Sequence, residues 1–502
     1  MNAPKPPMST LPPVSTGFQN ESLNLLDRLR QWPAFEQSWE ERGAEIARWV
    51  QAVRQRKDAG APRRVLFVHG QLPGETGSGV YLQQIAAEAI RRGIDFHVLS
   101  AGYTILDSSD LRGVPDERIS TCLFTPAGQA HRPGAVKTPI SGMSVVMPYP
   151  VLAYRDRTEE ELFDFLTVFG GRIAELVHRL QPDVIHVDHL WFLNGLARLA
   201  APWIPLVASA HGTAHKLIVD TPRFRELVVP CVASADHVCA ISPESVQECV
   251  EMFTIPRSRI SIEGYGYEPE LFNWRPVERV QVIRESLGLD ITGIDHLVVS
   301  VGKFVDWKGF KELALAIGLL RSEGFNSSGI VVGEGDPRSR ADLEAFIAEQ
   351  GLTDRLLLPG KVARERLPDI YRSGDIYALP SHVEPYGMVL MEALACGTPA
   401  VAANTGGPPH FIPKELQTAG LAVLVDPIDL TPDGDARTED RVAYARRLAD
   451  GIAGILNREI NPQERSRIAE AMRPLSWGRL VDALAGIYDR LAAKALERAP
   501  QD

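Results

Sequence analysis

Glu384 and Glu392 stand with seven residues between them, and two lysines, Lys303 and Lys308, follow an earlier apolar run. A carboxylate accepts hydrogen bonds from hydroxyls, and paired ammonium groups at a strand end can hold a diphosphate and stabilise it as it departs. The four residues together therefore suit a ligand with both hydroxyls and phosphates, such as a nucleotide sugar. Lysine supplies charge without the bidentate fork of arginine, so its part is electrostatic.

These residues need elements that bring them to one place. The apolar run Ile376-Tyr377-Ala378-Leu379 predicts a buried strand, and a helix is expected from Pro385, in its first turn, through Leu394 and Ala395. Gly397 closes that helix and Thr398-Pro399 stops its continuation. Ala400 to Ala403 predicts a second strand, which runs into a flexible Gly406-Gly407 pair. Glu384, Gly387 and the first helical amides, at Met388 and Val389, would thus lie at the carboxyl end of a strand, where open parallel sheets bind ligands. Helix-start amides and their partial positive charge suit a pyrophosphate, and Glu392, two turns in, can accept two hydrogen bonds from a ribose diol.

The lysines have a similar setting. Leu297 to Val301 predicts a strand, followed by Gly302-Lys303 and then Asp306-Trp307-Lys308-Gly309. In the amino-terminal half, Val65 to His69 predicts a buried strand and Tyr81 to Arg92 a helix. Between them lies Glu75-Thr76-Gly77-Ser78-Gly79, whose glycines would let backbone amides approach a phosphate. Leu82 stands where a dinucleotide fingerprint needs a small residue, which argues against a nicotinamide cofactor. Alternating strands and helices continue through Phe96–Leu99, Thr158–Leu180, Val184–Val187 and Leu206–Ser209, implying a parallel sheet covered on both faces. His186 and His189 have the spacing of a metal pair, yet no third ligand with suitable spacing appears, and no metal is expected. Asp433-Gly434-Asp435 has the form of a metal-binding DxD but lies among Pro, Thr and Asp, and reads as a turn.

Glu384 and Glu392, followed by Gly397-Thr398-Pro399 and Gly406-Gly407-Pro408, resemble the retaining glycosyltransferases of family 4, the group 1 or sucrose-phosphate synthase type. The resemblance spans residues 63 to 493 and is most specific in the second half. It implies an α/β GT-B fold, with two Rossmann-like doubly wound domains facing a cleft. By this reading 1–60 is a tail and helical extension and 61–277 the acceptor-side domain, completed by a carboxyl-terminal helix over 478–502. Residues 278–477 would hold the nucleotide sugar, with a linker near Phe272 to Val280. Ala235–Ser242 looks like the last strand of the first domain.

The resemblance also assigns roles. His211, in Ala210-His211-Gly212-Thr213-Ala214, would lie beside the donor sugar, and Glu384 would contact that sugar. Gly333, in a Gly-x-Gly stretch, would lie near the nucleotide, and backbone groups of Lys361 and Val362 would read the base. Gly77, Gly79 and Gly302 would border the donor, and Lys303, Lys308 and the helix amides would neutralise the leaving diphosphate in place of a metal. The implied activity is retaining, metal-independent hexosyl transfer from a nucleoside-diphosphate sugar, a UDP-sugar first, to a small soluble acceptor, possibly a sugar phosphate. Thr76, Arg155 and Lys216 are the acceptor contacts by location, with Arg157, His215, Arg223, Tyr149 and Tyr154 near them. Four positions depart from the family pattern, Ala214, Tyr265, Lys303 and His410. They keep open two competing readings, a non-catalytic nucleotide-sugar-binding protein and an epimerase or hydrolase of the same fold.

The whole chain agrees with this class. Its 502 residues allow two domains, and 45% hydrophobic with 23% charged residues is ordinary for a globular enzyme. A net charge of −11 argues against nucleic acid or an acidic membrane surface as a partner. Cys122, Cys231, Cys239, Cys249 and Cys396 are scattered and read as reduced thiols, and a cytoplasmic location is expected without integral membrane contact. The proline-rich start to residue 19 lacks an apolar signal and reads as a disordered tail; two helices should follow between Glu21 and Lys57.

Overall fold

The computed structural model describes residues 39–74, 76–143, 147–431 and 436–499. These fall into two compact units, the first made by 39–264 with 480–499 and the second by 265–479. The chain passes between units ahead of the linker expected near Phe272 to Val280. The cause is local: Tyr267 pairs with Ser476, and Glu268 holds Arg364, both within the second unit.

The first unit is built on seven parallel strands. They are β1 (Arg64–His69), β2 (Asp95–Gly102), β3 (Ile119–Leu123), β4 (Val184–Asp188), β5 (Leu206–Ser209), β6 (His237–Ala240) and β7 (Ile260–Ile262), in the order β3-β2-β1-β4-β5-β6-β7. Val65, Leu66, Phe67 and Val68 are all wholly buried, as a run covered on both faces requires. The strand expected to be last, at 235–242, is followed by β7, which is three residues long and too short to show a period in the sequence.

The second unit repeats the plan with β8 (His296–Val301), β9 (Ser327–Val332), β10 (Leu356–Gly360), β11 (Ile376–Leu379), β12 (Ala400–Ala403) and β13 (Ala422–Val425). Their order is β10-β9-β8-β11-β12-β13. In both sheets the order reverses beside the first strand, between β1 and β4 and between β8 and β11. Loops leaving these neighbours diverge to opposite faces and open a crevice at the carboxyl ends.

Of the two amino-terminal helices expected, the first and the tail lie outside the described residues. The second is Trp39–Asp58, and it packs on the first unit, where Trp49 is buried with its ring N–H donating to the Pro182 carbonyl at 2.8 Å. Asp433-Gly434-Asp435 also lies outside the described residues. The carboxyl-terminal segment returns to the first unit, burying Tyr488 against His186. No helix among the described residues is long and apolar enough to cross a membrane.

Candidate functional site

In the second unit the loop after β8 and the loop after β11 meet. Lys308 Nζ donates to Glu384 Oε2 at 2.6 Å, the Ser381 hydroxyl donates to the same oxygen at 2.9 Å, and Glu384 is buried. Lys308 also sits 4.5 Å from the centre of the Trp307 ring. Behind this pair, Arg441 joins Asp306 at 2.6 Å to Glu312 at 2.5 Å, and His382 Nε2 lies 3.1 Å from that same Glu312. Asp306 precedes Lys308 and His382 precedes Glu384 by two residues each, so one network, buried at Glu312 and His382 and exposed at Asp306, braces both loops. Lys303 is not drawn in: its side chain is exposed, and of the two cations only Lys308 meets Glu384.

The helix begins at Met388, three residues later than Pro385, because Gly387 adopts φ 93° and makes the turn that starts it. Gly406 and Gly407 are not a loose hinge. A Cβ at Gly406 would stand 1.6 Å from the Glu384 carbonyl oxygen, and one at Gly407 2.1 Å from that of Tyr386. The pair is glycine because the Glu384 loop lies directly on it. Met388 and Val389 form the half-buried first turn, and Glu392 lies one turn further with its side chain 14% exposed.

Glu392 Oε2 accepts from the Tyr371 hydroxyl at 3.1 Å, and Arg364 lies 3.7 Å from Oε1 while bonding Glu268 at 2.7 Å. Burial pushes the Glu392 carboxyl up from its ordinary 4.5 to about 7, outweighing Arg364 and Tyr371. Gly302 and Gly333 abut at the ends of β8 and β9, where a Cβ on Gly333 would lie 1.9 Å from the Gly302 oxygen. Lys361 is exposed, 3.4 Å from Glu334, and Val362 beside it is half-buried.

The first unit holds a second cluster at its own order reversal. Asp188, at the end of β4, places Oδ2 2.6 Å from His69 Nδ1 on β1 and Oδ1 against His211 Nε2 just after β5. Burial raises the Asp188 carboxyl, but His211 and His69 prevail and hold it well below the usual carboxylate range. His189 completes the group, its ring 4.9 Å from that of His211 and 6.1 Å from that of His69. Burial keeps His189 neutral, lowering it to about 3.

Ligand atoms of His69, Asp188 and His189 come within 4.8 Å of one another, a grouping that includes His189 but not His186. Folding supplies what sequence spacing does not, because β1 and β4 are adjacent though far apart in the chain. His186 is not part of that group: its ring nitrogens bond Tyr488 at 2.6 Å and Ser209 at 2.8 Å. His69, Asp188, Tyr371, Arg364 and Glu268 are missed by sequence reasoning, and the only trace of Asp188 is its place between two histidines.

The expected acceptor contacts are only partly assembled. Thr76 caps a helix that starts at Gly77 rather than Tyr81, and its hydroxyl accepts from the Gly79 amide at 3.1 Å, so that amide serves the cap. Arg157 is buried and bonds Thr138 Oγ1 at 2.6 Å and the Pro139 carbonyl at 2.5 Å. Arg223 donates to the carbonyls of Tyr154, Arg155 and Arg157. Arg155 and Lys216 have exposed side chains, and His215 Nδ1 lies 3.0 Å from Glu248.

The comparisons with known proteins agree with this geometry. The sequence matches Glycosyltransferase Family 4 over residues 76–270 and Glycosyl transferases group 1 over residues 288–425. It is 28% identical to a D-inositol 3-phosphate glycosyltransferase of Mycolicibacterium vanbaalenii, over 86% of this chain and 91% of that one. The same named enzyme of Mycolicibacterium smegmatis is 28% identical over 88% and 95%. In fold, the chain is similar to sucrose-phosphate synthase from Thermosynechococcus elongatus, with TM-score 0.57, 20% identity and coverage of 86% and 100%. It is likewise similar to Anabaena Alr3699/HepE in complex with UDP, with TM-score 0.60, 18% identity and coverage of 85% and 100%. With two doubly wound sheets and both family matches, the chain is an α/β protein of the GT-B fold and belongs to the group 1, family 4 glycosyltransferases.

Proposed function

We propose that this glycosyltransferase moves a hexosyl group from a UDP-sugar to a small polyol or sugar phosphate, with retention of anomeric configuration and without a metal. The observation that carries the reading is the joined pair Lys308 and Glu384 at the reversal of the second sheet, with Glu392 one turn into the adjoining helix. Lys308 and the amides at Met388 and Val389 face developing charge on the leaving diphosphate, and Glu392 receives the ribose. Glu384 contacts the donor sugar while holding Lys308 in place. The departing phosphate takes the acceptor's proton on the same face of the ring, so no covalent nucleophile is needed.

A UDP-sugar donor is supported by similarity in fold to Alr3699/HepE structures bound to UDP and to UDP-glucose. A phosphorylated acceptor is supported by the names of the relatives, which act on D-inositol 3-phosphate. In this chain Lys216 and Arg155 are the exposed cations for it, since Arg157 and Arg223 are committed to backbone carbonyls.

Purified protein incubated with UDP-glucose or UDP-N-acetylglucosamine and paired acceptors, with and without phosphate, tests this. The expected product is an α-linked glycoside phosphate, read by mass and by the anomeric proton coupling. A β-linked product overturns retention. Equal use of neutral acceptors, unaltered by Lys216→Ala, overturns the anionic acceptor.

A further inference from the structure

Asp188 is wholly buried and spends each carboxylate oxygen on a different histidine, His69 from β1 and His211 from the end of β5. Its own strand runs between theirs in the sheet, so the contact to both follows from strand order and register, with Val68 level with Val187 and Ser209 level with Asp188. An ionised carboxylate only accepts, so the nitrogen that each imidazole turns toward it must carry the hydrogen. For His69 that nitrogen is Nδ1, and for His211 it is Nε2. His69 Nε2 is buried with no partner in the protein. A second proton there would leave a charged N–H without an acceptor, so this nitrogen is bare. A bare buried nitrogen is satisfied by a group that donates a hydrogen, and carbohydrate hydroxyls do so while phosphate oxygens do not.

We propose that Asp188 is a positioning residue that fixes His69 as the Nδ1–H form and His211 as the Nε2–H form. His69 then keeps Nε2, on the side away from the carboxylate, as an accepting nitrogen, which a substrate hydroxyl would satisfy and a phosphate oxygen would not. His189 adjoins the same buried group: Thr213 Oγ1 lies 3.5 Å from its Nδ1, and its Nε2 is buried without a partner. It holds φ 68°, a backbone cost that an L residue bears only where surrounding structure enforces it. The inference rests on the transferase reading for its consequence in catalysis, but the two ring forms are a property of the protein alone.

The test begins with wild-type protein carrying 15N-histidine, in which two-bond proton–nitrogen correlations separate Nδ1–H, Nε2–H and doubly protonated rings. His69→Gln and His211→Gln assign the two signals. The expected spectrum at neutral pH shows His69 protonated only on Nδ1 and His211 only on Nε2. The opposite forms, or an imidazolium at His69, would overturn the proposal. In Asp188→Asn the amide donates to one of the rings, so at least one signal should change form. With the folded state retained, kcat should then fall about tenfold or more, by more than the change in either substrate's KM. Unchanged ring forms and unchanged kcat in that variant overturn the proposal, as does a changed form with wild-type kcat. Should the variant not fold, the wild-type spectrum decides. Absence of transfer by wild-type enzyme, with the ring forms as expected, would instead count against the transferase reading.

Discussion

The ammonium of Lys308 lies 2.6 Å from Oε2 of Glu384, although 75 residues separate them in the chain. Both are largely removed from water, with side chains 14% and 7% exposed. A cation in this setting is oriented before any ligand arrives. Removing one member therefore strands the other, which costs more than the pair contributes.

Lys308→Ala should lower kcat more than it raises the donor KM, because charge on the diphosphate grows toward the transition state. It should also lower unfolding free energy by about 2–3 kcal/mol, with Glu384 left buried. Lys308→Ala combined with Glu384→Gln should recover part of that loss in urea unfolding. A variant whose only change is a higher KM for donor contradicts the assignment.

Glu392 gives a pH dependence with a defined sign. Its folded carboxyl titrates at about 7 against 4.5 for an ordinary glutamate. The folded protein thus holds the proton more tightly than the unfolded chain, and this contribution to ligand-free stability is full below 4.5 and lost as pH rises through 7. Ribose hydroxyls donate hydrogen bonds, so they favour the ionised form. UDP affinity measured by titration calorimetry should accordingly rise from pH 6 to pH 8 and then level. Glu392→Gln should bind UDP more weakly, by roughly 1–3 kcal/mol, and without that rise. An equal pH slope in the variant removes Glu392 from the ribose site.

Gly309 joins the Lys308 loop to strand β11. Its φ is 72°, and a Cβ there would stand 1.9 Å from the Pro380 carbonyl oxygen. Backbone cannot step aside as a side-chain tip can, so Gly309→Ala should destabilise by on the order of 2 kcal/mol or more. It should also depress turnover by displacing Lys308. Gly454→Ala is the control, since a Cβ there meets nothing within 4 Å. Equal denaturant midpoints for the two variants would refute the close approach.

Lys308 and helix-start amides, rather than a cation, are expected to meet the leaving diphosphate. Turnover in excess EDTA should therefore remain within about twofold of that without chelator. Loss on chelation with recovery on added magnesium or manganese would reverse this expectation.

Much of the second unit is legible in the chain alone. Ile376–Leu379 and Ala400–Ala403 are apolar runs bounded by breakers, and local signals of that kind also mark Gly387, Glu392 and Gly397. The start of the helix at Met388 was not legible, because it depends on the left-handed turn at Gly387, a site where a Cβ would come within 3.4 Å of Leu379, Glu384 and Pro408. Nor was the tightness of Gly406-Gly407, which depends on where the Glu384 loop returns.

What the sequence determined by itself is the set of local elements, their alternation, and the residue types offered at strand ends, since apolar periodicity and turn chemistry act within a few residues. Which of those residues meet was decided by strand order. Placing β11 beside β8 joined Lys308 to Glu384 and left Lys303 in solvent, while placing β4 between β1 and β5 gave Asp188 two histidines. Strand order is set by how whole apolar faces are buried, a property of the assembled sheet that no short stretch of sequence carries.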